Sequence, residues 1–221
     1  CFRLEALVSD GLERAAELAG QRLSLRARAV CIATGTAPRA LPPDYADAWP
    51  DWHRDLRSLP AGMGDQRWLI LGGGDAALDT ALSIADRGGR PLVLIRGEAA
   101  RAARHLRRAC VEAGILWYPR ARLLEVRETG LSLGACARVS FGVEGQGGPA
   151  VVHEVDVDGL VACIGRTPRR ELASPEKGSL IKGLFFAGDV LRPPRERFIA
   201  PAMGDGLRVA MAASELLLNE P

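Results

Sequence analysis

A glycine-rich turn constrains this chain more than any other feature. Residues 68–71 form a short apolar run that ends in Gly72, Gly73 and Gly74, and an alanine-rich segment with helical spacing follows. The stretch is typical of a strand, a tight loop and a helix. Gly72, Gly74 and Ala77 match the pattern G-x-G-x-x-G/A, in which the backbone approaches a pyrophosphate and a helix N-terminus faces it. We therefore predict a dinucleotide loop, with a tightly packed structural turn as the alternative.

The residues after this turn predict the rest of a nucleotide-binding β-α-β unit. A second apolar run, residues 91–95, follows at the expected spacing and ends at Arg96, where the adenosine ribose is expected. Hydrophobic periodicity predicts strands at 67–71, 91–96 and 115–118 and helices at 75–87 and 99–113. Alternating patterns predict an antiparallel meander on the parallel sheet, at 123–127, 137–141 and 151–157, and a closing strand within 159–165.

Composition limits the classes of function. With 221 residues, 48% of them hydrophobic, the chain can bury a substantial core. No stretch is apolar for long enough to span a membrane and the start lacks a signal-peptide pattern, so we predict a cytoplasmic protein. The net charge of +2 gives no indication of a nucleic-acid partner. The five cysteines include no C-x-x-C pair and no metal-ligand spacing, so no metal site is predicted.

The two ends of the chain carry a second set of strand patterns. Residues 2–8 and 22–32 are predicted strands around a polar connection, and Thr34-Gly35 ends the second on a tight turn. Residues 159–165 repeat the pattern of 30–35, which is an apolar run, a glycine and then a proline shortly after. We therefore expect the chain to leave one domain at the first turn and to return at the second.

Three further segments receive simpler predictions. Residues 38–64 are rich in proline, tryptophan and aspartate without clean periodicity, which predicts a surface linker between domains. Cys31 and Cys163 lie inside apolar strand patterns and are predicted to be small core residues. Towards the end of the chain, a buried strand is predicted within 183–189 and a helix over 202–218.

Five motifs occur in an order that is similar to one group of flavoproteins. They are Ala33-Thr-Gly35, Gly72-Gly-Gly-Asp-Ala-Ala77, Cys163-Ile-Gly-Arg-Thr-Pro168, Ala187-Gly-Asp189 and Met203-Gly-Asp-Gly206. In this order they resemble the pyridine nucleotide-disulfide oxidoreductases, most closely the thioredoxin reductase-like branch. The resemblance implies an α/β fold. A Rossmann-like NAD(P)-binding domain at 43–165, a parallel sheet plus a β-meander, would be inserted into a partial FAD-binding domain at 1–42 and 166–221.

The resemblance also implies where cofactors bind. Asp189 would accept a hydrogen bond from a ribityl hydroxyl of FAD, and the helix beginning near Ala202 would point its N-terminus at the flavin. The backbone at Arg197-Phe-Ile199 would touch the flavin edge, whereas an ordinary Asx turn is the alternative explanation of Gly188-Asp189. The cofactor-binding residues implied are Gly72, Gly73, Gly74, Asp75, Ala76, Ala77, Arg96, Arg101, Thr34, Gly35, Gly165, Gly188, Asp189, Arg197, Phe198 and Ile199.

Three departures from the family pattern change the expected chemistry. Asp55 and Ser58 occupy the positions of the redox C-x-x-C, so dithiol reduction of thioredoxin is not expected and the chain resembles the ferredoxin:NADP oxidoreductases of this branch. The sequence begins with Cys1 rather than methionine, so we expect a segment of a longer protein. The family's first glycine-rich FAD loop is missing from it, so poor FAD binding is expected. Residues 171–182 are also shorter than the family's corresponding segment.

Arginines indicate the nicotinamide cofactor. Arg96 ends the second strand, and Arg101 and Arg104 are predicted on the next helix. This arrangement resembles the paired arginines that bind the 2′-phosphate of NADPH in glutathione reductase relatives, because a guanidinium donates two hydrogen bonds to a phosphate. The carboxylate of Glu98 is suited instead to the ribose diol of NADH. NADPH is therefore favoured, with NADH as the alternative.

These expectations combine into one function. The predicted enzyme is a flavin-dependent NAD(P)H oxidoreductase that passes hydride from NAD(P)H to FAD and then electrons to an unidentified acceptor, with a small redox protein as one candidate. No catalytic side chain is predicted, because the cofactors carry the chemistry. The alternative is a degenerate or regulatory dinucleotide-binding module without turnover. Neither nucleic acid nor a membrane is an expected partner, and a homodimer is left open.

Overall fold

The chain forms two compact units. The computed structural model describes residues 3–4, 13–18, 21–49, 52–54, 56–128, 137–145, 149–172, 175 and 181–219. One unit, here called the central unit, is Pro38–Gly165. The other, here called the outer unit, consists of Cys1–Ala37 and Arg166–Pro221. Which cofactor each unit binds stays a prediction.

The elements follow one another in a mixed order of strands and helices. In chain order they are β1 (Arg3–Leu4), β2 (Glu13–Leu18), β3 (Gln21–Arg26), β4 (Val30–Ile32), β5 (Thr36–Pro38), α1 (Pro43–Ala48), β6 (Arg67–Leu71), α2 (Asp75–Asp86), β7 (Arg90–Ile95), α3 (Arg104–Glu112), β8 (Leu116–Pro119), β9 (Ala121–Glu128), β10 (Ala137–Val143), β11 (Val151–Val157), β12 (Gly159–Ala162), β13 (Arg166–Pro168), β14 (Leu184–Phe186) and α4 (Ile199–Asn219). Within the described residues, no helix has the length and apolarity that a membrane span requires.

The central unit is built on a parallel sheet with the strand order β12-β6-β7-β8. Alternate residues of β6 point to opposite faces. Leu69 and Leu71 pack in one core with Phe141 of the antiparallel meander β9-β10-β11, whereas Ile70 packs in a second core with Leu78 of α2. Both faces of the sheet are therefore covered, which explains its continuous apolar strands. The predicted α/β fold, with a parallel sheet and a meander, is confirmed.

The outer unit contains two short strand pairs. In the first, β14 lies parallel to β4, with Leu184 opposite Val30. In the second, β13 pairs with β5. Beside this second pair, the N–H of Arg169 donates to the carbonyl of Gly35 at 3.0 Å. Helix α4 begins at Ile199, three residues before the predicted start.

Several predictions at the N-terminal end are wrong. The predicted polar connection between the first two strands contains β2, which pairs antiparallel with β3, and the predicted strand 22–32 is divided between β3 and β4. The sequence of β2, Glu-Arg-Ala-Ala-Glu-Leu, has low strand propensity, so hydrogen bonds to β3 determine its conformation. Apart from β1, the predicted strand 2–8 lies outside the described residues.

The predicted surface linker 38–64 is also wrong, because much of it packs into the central unit. Leu41 and Trp49 are buried beside the meander, and Leu59 and Met63 are buried beside α2. His53 forms a bridge to the edge strand β12, where its N–H donates to the Leu160 carbonyl at 2.7 Å. Prolines and turns separate these buried residues, so they follow no regular period in the sequence.

Candidate nucleotide-binding site

Gly72 forms the loop between β6 and α2. Its N–H donates to the carbonyl of Leu94 at 2.9 Å, which holds the loop against the neighbouring strand β7. Its φ is +139°, a conformation that L side chains rarely adopt. A Cβ at this position would lie 2.3 Å from the carbonyl oxygen of Cys163. Only glycine fits this turn.

The next two glycines differ in their surroundings. A Cβ on Gly73 would lie 2.6 Å from Cγ2 of Ile95, and the Gly73 carbonyl accepts hydrogen bonds from the N–H groups of Arg101 at 2.7 Å and Ala102 at 3.1 Å. A Cβ on Gly74 would have no atom within 4 Å. Packing therefore explains Gly73 but does not explain Gly74, whose face is open.

Helix α2 begins at this open face. In the part of the chain that the structure describes, the N–H groups of Gly74, Asp75 and Ala76 have no hydrogen-bond acceptor. The Asp75 carboxylate instead accepts from the N–H of Ala103 at 2.7 Å, which ties the start of α2 to the start of α3. Ala77 is fully buried, as expected of the small residue that lets this helix pack on the strand. The helix N-terminus therefore presents donors and a partial positive charge.

Two predicted basic residues follow β7. Arg96 is exposed directly after β7. Arg101 does not lie on the helix as predicted, because α3 begins only at Arg104. The hydrogen bond from its N–H to Gly73 holds the Arg101 backbone beside the loop. The Glu98 carboxylate lies 3.1 Å from the guanidinium of Arg120.

The outer unit has a second glycine turn, at the end of β14. Gly188 has a φ of +75° and begins the short 3₁₀ turn Gly188–Val190, which includes Asp189. Its N–H donates to the carboxylate of Asp205 at 3.2 Å. Asp205 lies on α4 and is only 1% exposed.

Two arginines complete the environment of Asp205. Nε of Arg192 donates to its carboxylate at 3.0 Å, and the guanidinium of Arg208 also donates to it. Hydrogen bonds from Arg192, Arg208 and Gly188 outweigh burial and lower the pKa of Asp205 to about 2. Asp205 belongs to the motif Met203-Gly-Asp-Gly206, but no role was predicted for it. The sequence signal for this ion pair was an arginine three residues after an aspartate on a predicted helix.

Comparison with known proteins identifies the family. A family model for pyridine nucleotide-disulphide oxidoreductases matches residues 5–183. A ferredoxin–NADP reductase of Ignicoccus hospitalis is 26% identical over 182 residues, which are 76% of this chain and 57% of that protein. Ferredoxin–NADP reductase 1 of Cupriavidus metallidurans is 27% identical over 201 residues, 81% of this chain and 54% of that protein. Thioredoxin reductase of Lactococcus lactis has the same fold, with a TM-score of 0.78 at 20% identity over 99% of this chain and 75% of that one.

The chain belongs to the pyridine nucleotide-disulphide oxidoreductase family. Within this family of flavin-dependent oxidoreductases it is a member of the thioredoxin reductase-like branch. It spans little more than half the length of the two ferredoxin–NADP reductases that it matches.

The remaining predicted residues of this family member lie after β4, before β13 and at the start of α4. In the outer unit, Oγ1 of Thr34 donates to the carbonyl of Arg169 at 2.7 Å, and the guanidinium of Arg197 donates to the carbonyls of Arg192 at 3.0 Å and Arg166 at 3.1 Å. Phe198 and Ile199 are exposed. In the central unit, Gly165 has a φ of +104°. The predicted residues therefore form two groups, one in each unit.

The cysteines of this family member do not form a pair in the described residues. Cys31 is exposed, so its predicted core position is wrong: it faces away from the buried side of β4, where Ile32 points inward. Cys163 is half-buried, with Sγ 3.6 Å from the carbonyl oxygen of Ala76. Ser58 ends a 3₁₀ turn, whereas Asp55 lies outside the described residues. The absence of dithiol chemistry stays a prediction.

Proposed function

We propose that the central unit binds NAD(P)H, with the pyrophosphate against Gly74 and the start of α2. The open face of Gly74 carries this proposal. A purely structural turn explains Gly72 and Gly73, because a Cβ there would collide with neighbouring atoms. Gly74 is the N-cap of α2, where serine, aspartate or asparagine would serve at least as well and a Cβ would have open space, so the turn gives no reason for glycine rather than these residues. Close approach of a ligand does give one, and the N–H groups of Gly74, Asp75 and Ala76 are donors suited to an anion.

The neighbouring arginines favour NADPH over NADH. Arg96 follows β7 at the strand end where the adenosine ribose lies in this fold. The Arg101 backbone is held beside the phosphate loop by its bond to Gly73. Both guanidinium groups are suited to a 2′-phosphate, because each donates two hydrogen bonds from one planar group.

The outer unit supplies residues for the flavin. Asp189 would accept a hydrogen bond from the ribityl chain, the backbone of Arg197 to Ile199 would contact the ring edge, and the N-terminus of α4 would stabilise negative charge on the ring. A bound flavin supplies the hydride acceptor and passes electrons onward. Thr34, Gly35 and Gly165 complete the proposed cofactor contacts. This arrangement assigns NAD(P)H to 43–165 and FAD to 1–42 with 166–221.

The two reductases matched above make a small redox protein, such as a ferredoxin, the first electron acceptor to test. We propose that electrons leave without a protein dithiol, because Asp55 and Ser58 cannot form a disulfide. A cytoplasmic location and a homodimer stay predictions, which fractionation of cells and light scattering test.

Nucleotide titration tests the proposed function. We expect the 221-residue chain to bind NADPH in calorimetric titration, and Arg96→Ala to weaken NADPH at least tenfold while changing the NADH affinity less than twofold. Arg107→Ala, on the exposed face of α3, is the matched control and is expected to bind both as the unaltered chain does. Equal losses for NADPH and NADH in Arg96→Ala would contradict the assignment of the 2′-phosphate site.

A further inference from the structure

Arg120 has an unusual backbone conformation at the turn between β8 and β9. Its φ is +53°, and it is the one non-glycine residue with positive φ in the part of the chain that the structure describes. Its N–H donates to the carbonyl of Gly97 at 2.8 Å, and its own carbonyl accepts from the N–H of Glu144 at 3.1 Å. Glycine or asparagine adopts this conformation more readily than arginine does. Arg120 therefore adopts this conformation at an energetic cost that glycine or asparagine would largely avoid.

That side chain binds Glu98, the acidic residue that follows Arg96 in the proposed nucleotide site. The guanidinium of Arg120 lies 3.1 Å from the carboxylate of Glu98, and the bond from the Arg120 N–H to Gly97 places the two residues side by side. Glu98 is 83% exposed, so packing does not fix its direction. Among the described residues, Arg120 is the one basic group within ion-pair distance of Glu98.

We infer that Arg120 is a specificity-determining residue that favours a nucleotide with a 2′-phosphate over one with a free ribose diol. This inference rests on the proposed function of the Gly72–Ala77 loop. A carboxylate at the end of the second strand holds a ribose diol when it is available, and repels a 2′-phosphate. Arg120 engages this carboxylate and offsets its charge. An exposed ion pair contributes modestly, so the expected effect is several-fold.

A variant of Arg120 tests the inference. Arg120→Asn keeps a residue that tolerates positive φ but cannot reach Glu98. In titrations of the 221-residue chain with NADPH and NADH, we expect NADPH to bind three- to fivefold more weakly and NADH about twofold more tightly. Arg122→Ala is the matched control, because Arg122 lies two residues along and pairs with Glu144 instead, at 3.2 Å. We expect it to leave the NADPH to NADH affinity ratio unchanged, and thermal unfolding checks that both variants fold.

The charge of Glu98 decides between two roles of Arg120. In a Glu98→Gln background, Arg120→Asn should no longer change the affinity ratio, because no carboxylate remains to be engaged. An NADPH loss that persists at full size in this background would overturn the inference, since Arg120 would then bind phosphate directly. An unchanged ratio in Arg120→Asn, with the selective NADPH loss in Arg96→Ala intact, would overturn the inference alone. Failure of the unaltered chain to bind either nucleotide would overturn the proposed function as well.

Discussion

Each unit of this protein has a glycine turn at the end of a parallel strand, and the two turns are held by different forces. In the central unit, Gly72 and Gly73 lie against Cys163 and Ile95, where no side chain fits. In the outer unit, the turn at Gly188 is held by the buried carboxylate of Asp205 and its two arginines. The first turn depends on close packing and main-chain hydrogen bonds, and the second depends on charge.

The difference determines what each turn can offer a ligand. The contacts that hold the central turn leave the N–H groups of Gly74, Asp75 and Ala76 available for an anion. In the outer turn the Gly188 N–H is already engaged by a carboxylate. Close packing does not change with protonation, whereas a buried ion pair does. The two turns should therefore respond differently to substitution and to acid.

The largest expected effect comes from Gly72→Ala. The new Cβ would meet the Cys163 carbonyl at 2.3 Å in a strained conformation, so we expect a loss of about 3 kcal/mol or more in the free energy of unfolding, measured in urea. Gly114→Ala is the matched control, because Gly114 has a φ of +67° but open space around its Cβ position. It should cost only about 1 kcal/mol. Equal losses in the two variants would show that positive φ alone, and not the close contact with Cys163, requires glycine in the central turn.

Asp205→Asn should have the next largest effect. Asparagine keeps an acceptor for Gly188 but removes the negative charge between Arg192 and Arg208, so we expect about 2 kcal/mol of destabilisation in urea unfolding. Glu196→Gln is the control, because Glu196 also pairs with Arg192, at 3.7 Å, but is partly exposed. It should change stability by less than about 0.5 kcal/mol. An unchanged free energy of unfolding in Asp205→Asn would mean that charge does not hold the outer turn.

Gly74→Ala should weaken nucleotide binding more than it weakens folding. Its Cβ has open space in the folded protein, but alanine is a poorer helix N-cap than glycine, so we expect the free energy of unfolding to fall by no more than about 1 kcal/mol. The same Cβ would occupy the proposed path of the pyrophosphate, so NADPH affinity should fall about tenfold. Calorimetric titration measures the affinity. Full NADPH affinity in this variant would place the phosphates elsewhere.

The smallest expected effect is a difference in acid sensitivity. The pKa of Asp205 is lowered to about 2 in the folded protein, from an ordinary value near 3.8. Its stabilising contribution is therefore complete above about pH 4 and is lost as the pH falls towards 2. Free energies of unfolding measured at several pH values in this range should decline more steeply for the unaltered chain than for Asp205→Asn. Gly74→Ala should keep the steeper slope, and identical slopes in all three proteins would contradict the role of Asp205.

Much of the central unit could be predicted from the sequence. The apolar runs at β6 and β7 predicted strands within a residue of their observed bounds, and glycines marked the ends of α2 and α3. These signals are local, because a run of apolar residues and a glycine each limit the backbone directly. The position of the phosphate loop followed from the same signals. Its function stays a proposal.

The wrong predictions all concern features that strand pairing and packing decide. β2 lacks strand propensity and is fixed by its partner β3, and Leu41 and Trp49 are buried by contact with distant strands. Cys31 has an apolar neighbourhood in sequence but faces outward because side chains alternate along β4. In each case the outcome depends on which strand or core the segment meets, and the residues of the segment itself do not specify that.

The sequence by itself determined the order of strands and helices from β6 to β12 and the position of the Gly72 turn, because these features depend on short-range periodicity and on backbone freedom. Only the tertiary structure decided that Asp205 is buried between Arg192 and Arg208, and that Arg120 engages Glu98. Burial of a charge and the choice of its partner depend on which surfaces meet when the chain folds, and a local pattern does not contain that information.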